Sequence, residues 1–278
     1  MMTPRDPIYW FVMIESIYQH MWDNFCDAMC HNRYVQDPYL TYQSDTRRGI
    51  TALAYLQSNS QFHHRRAPHD ESRHYQLRQN RLRNVSPLEY LSLTANIEAF
   101  LDQVRTLEPE QYYYPQNELH ITLLSVISCV AGFQLTDIDV ARYAAVFQHA
   151  LRNIEPIDIE FRGVTASPEC IVIQGFPQGN GLNALRERLR DELQRSGLPT
   201  TADSRYKLVT AHASAVRFRA PLNNTEALLQ LCQRYRHHVF GRMTLSACEL
   251  VFNNWYQQRS VTQSLAQCVL LAPVGVEK

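Results

Sequence analysis

Two apolar stretches constrain the fold most: "ELHITLLSVI" and "KLVTAHASAVRF". Each carries a histidine and a hydroxyl two positions apart, His120 with Thr122 and His212 with Ser214. Both runs read as buried strands. Side chains alternate across a strand, so each pair shares one face. Leu119, Ile121 and Leu123 then point to the opposite face, into a core. In the second stretch Ala211, Ala213 and Ala215 take those places and are small enough for close packing.

Amphipathic segments surround these strands. Apolar groups recur at helical spacing from about Ile8 to Met29, which predicts one helix. "DTRRGITALAYL" reads as a turn entering a strand. In "SPLEYLSLTANIEAFLDQVRTLEP" Ser86 is a good N-cap, Pro87 suits the first helical position, and Glu89 completes a capping box. Leu88, Leu91, Leu101, Val104 and Leu107 mark its buried face, and Pro109 ends it. A further helix is "TDIDVARYAAVFQHALRNIE", with Val140, Tyr143, Ala144, Phe147 and Leu151 on one stripe. "PIDIEFRGVTASPECIVIQGF" alternates like two strands about a turn at Ser167 and Pro168. "GLNALRERLRDELQRSG" sets Leu182, Leu185, Leu189 and Leu193 in register, and Gly197 and Pro199 stop it. "NTEALLQLCQRYRHHVFG" predicts another helix, followed by strand material in "MTLSACELVFNNWY" and in "SLAQCVLLA". The order predicts an α+β fold in which each half places a histidine strand after an amphipathic helix.

Composition narrows the class. The chain has 278 residues, enough to bury a core. Basic and acidic residues both number 27, so no wholesale polyanion-binding surface is expected, although a local basic patch remains open. The 7 cysteines, Cys26, Cys30, Cys129, Cys170, Cys232, Cys248 and Cys268, are scattered and form no C-x-x-C. They read as reduced residues of a cytoplasmic protein. "IYWFVMI" is too short to span a bilayer and lacks the flanks of a signal peptide. The segment 57–84 is polar, with six arginines, and reads as an exposed, flexible basic insertion. Its His63, His64, His69 and His74 have no cysteine or helical i, i+4 ligand pair among them. Arg65, Arg66 and Arg73 would repel a cation. A solvated or RNA-contacting loop is favoured over a metal site.

Among 11 histidines about one H-x-[T/S] is expected by chance. The other nine lack a hydroxyl at that offset. His120 and His212 alone sit in apolar strands, at matching places in the two halves. Two imidazoles facing each other across a cleft can act as general base and general acid. Thr122 and Ser214 can donate hydrogen bonds to the non-bridging oxygens of a phosphate between them. The alternative is a pair of hydrogen-bonded core histidines.

The doubled strands "HIT" and "HAS", 92 positions apart, resemble the two-histidine (2H) phosphoesterase superfamily, including the LigT-like RNA 2',3'-cyclic phosphodiesterases often labelled 2'-5' RNA ligases. The resemblance runs from about Arg47 to Ala272. "DTRRGITALAYL", "EPEQYYYPQNELHITLLSVISC" and "ELVFNNWYQ" look most like a bacterial branch of that group, some of whose members carry a mutarotase label without visible basis in these residues. It implies a bilobal, duplicated α+β fold with two antiparallel sheets flanked by helices around a central cleft. It also implies His120, Thr122, His212 and Ser214 as catalytic positions. Residues 46–274 would form that domain and residues 1–45 an N-terminal helical extension. The extension and the basic insertion are extras for which the superfamily supplies no role.

Other residues are candidates for substrate contact. Tyr112, Tyr113 and Tyr114 precede the first histidine; Tyr114 would stack on a base or touch phosphate, or else pack at a rim. Asn253, Asn254, Trp255 and Tyr256 end a strand and either line the cleft or close a core edge. Arg47, Arg48 and Lys207 offer positive charge, as solvated residues or as phosphate contacts; Tyr206 adjoins Lys207. The expected activity is metal-independent, cofactor-free cleavage of an RNA 2',3'-cyclic phosphate or a 2'-5' linkage. The partners would be an RNA end or small nucleotide, with no membrane and no obligate protein partner. A hydrolase of cyclic oligonucleotide signals and a non-catalytic nucleotide- or RNA-binding module remain as alternatives. The presence of all four motif residues argues against the second.

Overall fold

The computed structural model describes residues 7–41, 44–56 and 87–271. The basic insertion with its four histidines, and the Ser86 cap, lie outside the described residues.

The expected elements form. Helix α1 spans Pro7–Cys30, α2 Pro87–Leu107, α3 Val140–Ala150, α4 Gly181–Ser196 and α5 Thr225–Arg234. The strands are β1 Arg47–Tyr55, β2 Tyr112–Tyr113, β3 His120–Ala131, β4 Ile157–Ser167, β5 Cys170–Pro177, β6 Ala213–Arg217, β7 Val239–Leu245, β8 Ala247–Asn253 and β9 Gln263–Val269. Gly197 ends α4 in the left-handed conformation, at φ 65°, where a Cβ would be strained. Several boundaries differ from the sequence reading, and two of them bear on topology. The helix after Asn224 stops at Arg234, because "HHVFG" feeds β7 instead of another helical turn. The run after it breaks at Ser246 into two strands that belong to different sheets.

Both sheets are antiparallel. Sheet A has the order β3-β1-β8-β9 and sheet B the order β2-β6-β5-β4-β7. The last hairpin thus returns to the first sheet, where β8 pairs with β1. One face of each sheet is sealed by helices: Ala52, Ala54, Ile121, Leu123, Val164, Ile171, Ala213 and Ala215 belong to one continuous core with residues of α2 to α5. The opposite face of sheet A carries a separate small cluster, Leu53, Tyr55 and Val251. Both histidine motifs lie on the faces turned away from the main core.

The chain passes directly from one sheet edge to the other. β2 pairs with β6 in sheet B, and Tyr114 N–H continues that pairing onto Ala215 O at 3.0 Å. Six residues later the same chain enters β3, the edge of sheet A. The edge of one sheet is therefore tied to the edge of the other. This tether, and not sequence proximity, brings the two histidine segments together.

Helix α1 docks on the face of sheet B that carries Ser214. Thr165, Val172 and Ser214 are cross-strand partners and so share that face. Thr165 Oγ1 donates to Tyr18 O at 3.0 Å. Phe176, on the same face, packs against Ile14 and Tyr18. The β5–β6 pairing ends at Ile173 and Ala213. Just beyond it the Tyr18 hydroxyl takes over, donating to Gly175 O and accepting from Gly175 N–H, each at 3.1 Å. Gly175 is required there, since a Cβ would stand 2.1 Å from Ala211 O.

Candidate active site

His120 is the first residue of β3 and is buried. Its cross-strand partner is Tyr55, and that of Thr122 is Leu53, which fixes the imidazole and the Thr122 side chain on the open face of sheet A. His120 Nδ1 lies 2.7 Å from Glu118 O. A carbonyl only accepts, so Nδ1 carries the proton and Nε2 of the neutral ring is left as an acceptor. The Tyr55 and Tyr114 rings meet the imidazole edge to face, at 6.2 and 6.3 Å.

His212 stands immediately before β6, so the residue itself is not in the strand as the alternation predicted. The β5–β6 pairing ends one residue after it, and beyond that point the Tyr18 hydroxyl bonds Gly175 in place of a strand partner. Its Nδ1 lies 2.8 Å from Thr210 Oγ1. A hydroxyl donates or accepts, so this partner serves either tautomer and the imidazolium. Thr122, His212 and Ser214 are all half-buried.

Arginines crowd the pair. Burial is the main force that lowers the His120 pKa to about 4, with Arg217 and Arg259 acting the same way against the pull of the Glu118 carbonyl. Burial likewise lowers His212 to about 4, aided by Arg186, His120 and Arg217. Each imidazole would be neutral near pH 7 while the site is empty. His212 feels the charge of His120, which places the two rings within electrostatic reach of each other. Bound phosphate would oppose these arginine charges and raise both values.

Sequence reasoning missed three of these groups. Arg186 is fully buried on α4, four residues after Leu182 on the helix's apolar stripe. It donates to Leu123 O at 3.0 Å, Thr122 O at 2.7 Å and Thr210 O at 2.8 Å, so one guanidinium clamps both histidine segments. Burial lowers its pKa to about 9, and one of its nitrogens has no hydrogen-bond partner. An arginine on a leucine stripe was the available signal. Arg217 closes β6; its Nε donates to the Tyr114 hydroxyl at 3.0 Å. Its charge reaches both imidazoles, and no carboxylate lies within ion-pair distance among the described residues. The arginine inside "HASAVRF" was its signal. Arg259 stacks 3.4 Å over the Tyr55 ring. Nothing in its local sequence announced it, because a loop carries it across from β8.

The remaining candidates divide. Tyr114 is buried and holds Arg217, so it braces the site and offers no free ring for stacking. Tyr256 is also buried; its hydroxyl donates to Asp37 Oδ1 at 2.8 Å and accepts from Arg47 at 3.4 Å. Trp255 is half-buried between Arg47 and Arg205, at 5.2 and 4.8 Å from their guanidinium carbons. Arg48 donates to the backbone carbonyls of Asp45 and Arg47 at 3.0 and 2.8 Å, and pairs with Val130 far along the strand from His120. Lys207 turns to Glu187 at 2.8 Å instead of joining the histidines. Among the described residues no three His, Cys, Asp or Glu side chains gather as a metal site, and no helix is long and apolar enough to cross a membrane.

No protein-family model matches the chain, and no curated protein does. Solved structures do. LigT of E. coli, complexed with 3'-AMP, shares 14% identity over 81% of this chain and 98% of its own, with a TM-score of 0.46. TT0787 of Thermus thermophilus shares 18% identity over 63% of this chain and 92% of its own, with a TM-score of 0.43. A structure described as a phosphoesterase shares 17% identity over the same fractions, with a TM-score of 0.40. With TM-scores this low, these likenesses carry no chemistry, and the chain is similar to these proteins in overall arrangement alone.

Proposed function

We propose that the chain is a phosphodiesterase that opens the 2',3'-cyclic phosphate at an RNA end, or cleaves a 2'-5' linkage, by paired imidazole catalysis. The observation that carries this reading is the pair itself: a buried His120 at the start of β3 and a half-buried His212 just before β6, each with Nδ1 engaged and both under the charge of Arg217. An engaged Nδ1 directs Nε2 toward the reacting phosphate.

The roles follow from the partners. His120, bound to a carbonyl, presents an unprotonated Nε2 and suits the base. His212, bound to a hydroxyl, tolerates the charged form and suits the acid once a phosphate is bound. His120 takes a proton from water as its oxygen attacks phosphorus. The bond from phosphorus to one ribose oxygen breaks, and His212 protonates that oxygen. The two histidines then exchange the proton through solvent, and one water is consumed. Thr122, Ser214 and Arg217 would stabilise the charge on the non-bridging oxygens.

The test is a product analysis on an oligoribonucleotide with a 2',3'-cyclic phosphate end. A single phosphomonoester product is expected. No turnover between pH 4 and 9 would overturn the reading. Both histidines titrate low in the free protein, so kcat/KM should peak at more acidic pH than kcat, whose groups feel bound phosphate.

A further inference from the structure

Helix α1 blocks the open face of sheet B beyond β6, so a polymer leaving the histidines cannot run across β5 and β4. The other direction carries different chemistry. Tyr256 lies 5.6 Å from the Arg217 guanidinium and bonds to Arg47; Arg47 faces Trp255, and Trp255 faces Arg205. Cations and aromatic rings thus alternate from the site to the rim. At the rim Arg205 and Tyr206 are exposed, Tyr206 at 67%. Arg47 is paired with Asp45, but Arg205 has no carboxylate partner among the described residues. The loop that presents Arg205 and Tyr206 is anchored on sheet A, where Thr201 N–H donates to Val126 O at 3.0 Å and Ser128 N–H to Thr201 Oγ1 at 2.6 Å. It then runs into Thr210 and His212.

We propose that Trp255, Arg205 and Tyr206 form a rim subsite for an upstream nucleotide of single-stranded RNA, some way along the strand from the reacting phosphate, so that the substrate is an oligonucleotide end and not a free mononucleotide. This rests on the phosphodiesterase reading for its orientation. Arg205 covers one side of Trp255 and has no hydrogen-bond or ion-pair partner among the described residues; it moves to a phosphate while a base takes a ring face. Aromatic rings serve every base, and arginines track the backbone, so the subsite is tolerant of sequence.

The experiment is fluorescence anisotropy with a 5'-labelled hexaribonucleotide ending in a 3'-phosphate, competed by a nucleoside 3'-phosphate. The hexamer is expected to bind at least tenfold more tightly. Arg205→Ala and Tyr206→Ala, both at exposed positions, should each weaken hexamer binding about five- to tenfold. They should weaken the nucleoside phosphate less. Arg205→Ala should also reduce the salt slope of hexamer binding by about 0.7. Equal binding of hexamer and nucleoside phosphate, or hexamer binding unmoved in both variants, would overturn the subsite. Length-dependent binding that responds to the variants, with no hydrolysis of a cyclic end, would uphold the subsite and remove the catalytic reading.

Discussion

The two histidine neighbourhoods are alike in charge and unlike in hydrogen bonding. Each imidazole has an arginine of its own, Arg259 for His120 and Arg186 for His212, and they share Arg217. His120 leans on a backbone carbonyl, which permits one role for Nδ1, and His212 on a hydroxyl, which permits both. Equal electrostatic pressure with unequal freedom of protonation is what a base and an acid need. Under the proposed mechanism, the division of labour would lie in the residue behind each ring, Glu118 or Thr210, and not in the H-x-[T/S] motif they share.

The largest test removes either side outright. His120→Ala or His212→Ala should lower kcat/KM by about 10³-fold with the fold intact by circular dichroism, within the usual range for general acid–base groups. Full activity in both variants would end the comparison.

A second test asks whether both rings are held neutral. With folded-state pKa values of about 4 and an unfolded value near 6.5, the unfolded chain binds more protons between those limits. Stability from these two groups is complete above about pH 6.5 and is lost as the pH falls toward 4, by on the order of 3 kcal/mol for each. Urea unfolding at pH 7 and pH 4.5 should register the loss, and His120→Gln or His212→Gln should each remove part of it. An unchanged midpoint in the wild type would refute the neutral pair.

A finer test separates the private arginines. Arg186→Met should raise the His212 titration and leave His120 in place, read by NMR of the two rings; Arg259→Met should do the reverse. Equal movement of both rings in either variant would show that the charges are not partitioned.

The smallest effect concerns α1. Tyr18→Phe leaves Gly175 N–H and O unpaired beside Ala211, and should cost about 1–2 kcal/mol of stability in urea unfolding. A change below 0.3 kcal/mol (roughly the error of such a comparison) would show that the helix does not brace the His212 side.

Much of this was legible in the sequence because the signals were local. Period-2 alternation set His120 and Thr122 apart from Leu119, Ile121 and Leu123, and those three are indeed fully buried. Leucine registers marked the helices. Arg48 and Lys207 show the limit: both carry the right charge near the right motifs, yet one is held by backbone carbonyls and the other by Glu187. Sequence neighbourhood in a strand says little about distance once a residue lies several positions along it. Tyr114 and Tyr256 fall in the right region, but burial makes them braces.

The sequence alone set an imidazole and a hydroxyl on one face of β3, placed a second such pair at the start of β6, and marked the amphipathic helices that bury the backs of those strands. Only the tertiary structure decided that those strands meet. That required β2 to tie one sheet edge to the other, a buried Arg186 to join Thr122 and Thr210 through their carbonyls, and a loop after β8 to bring Arg259 over Tyr55. These links are long-range and run through backbone carbonyls and ring faces. Every residue type offers a carbonyl, so no pattern in the chain could mark which ones would be used.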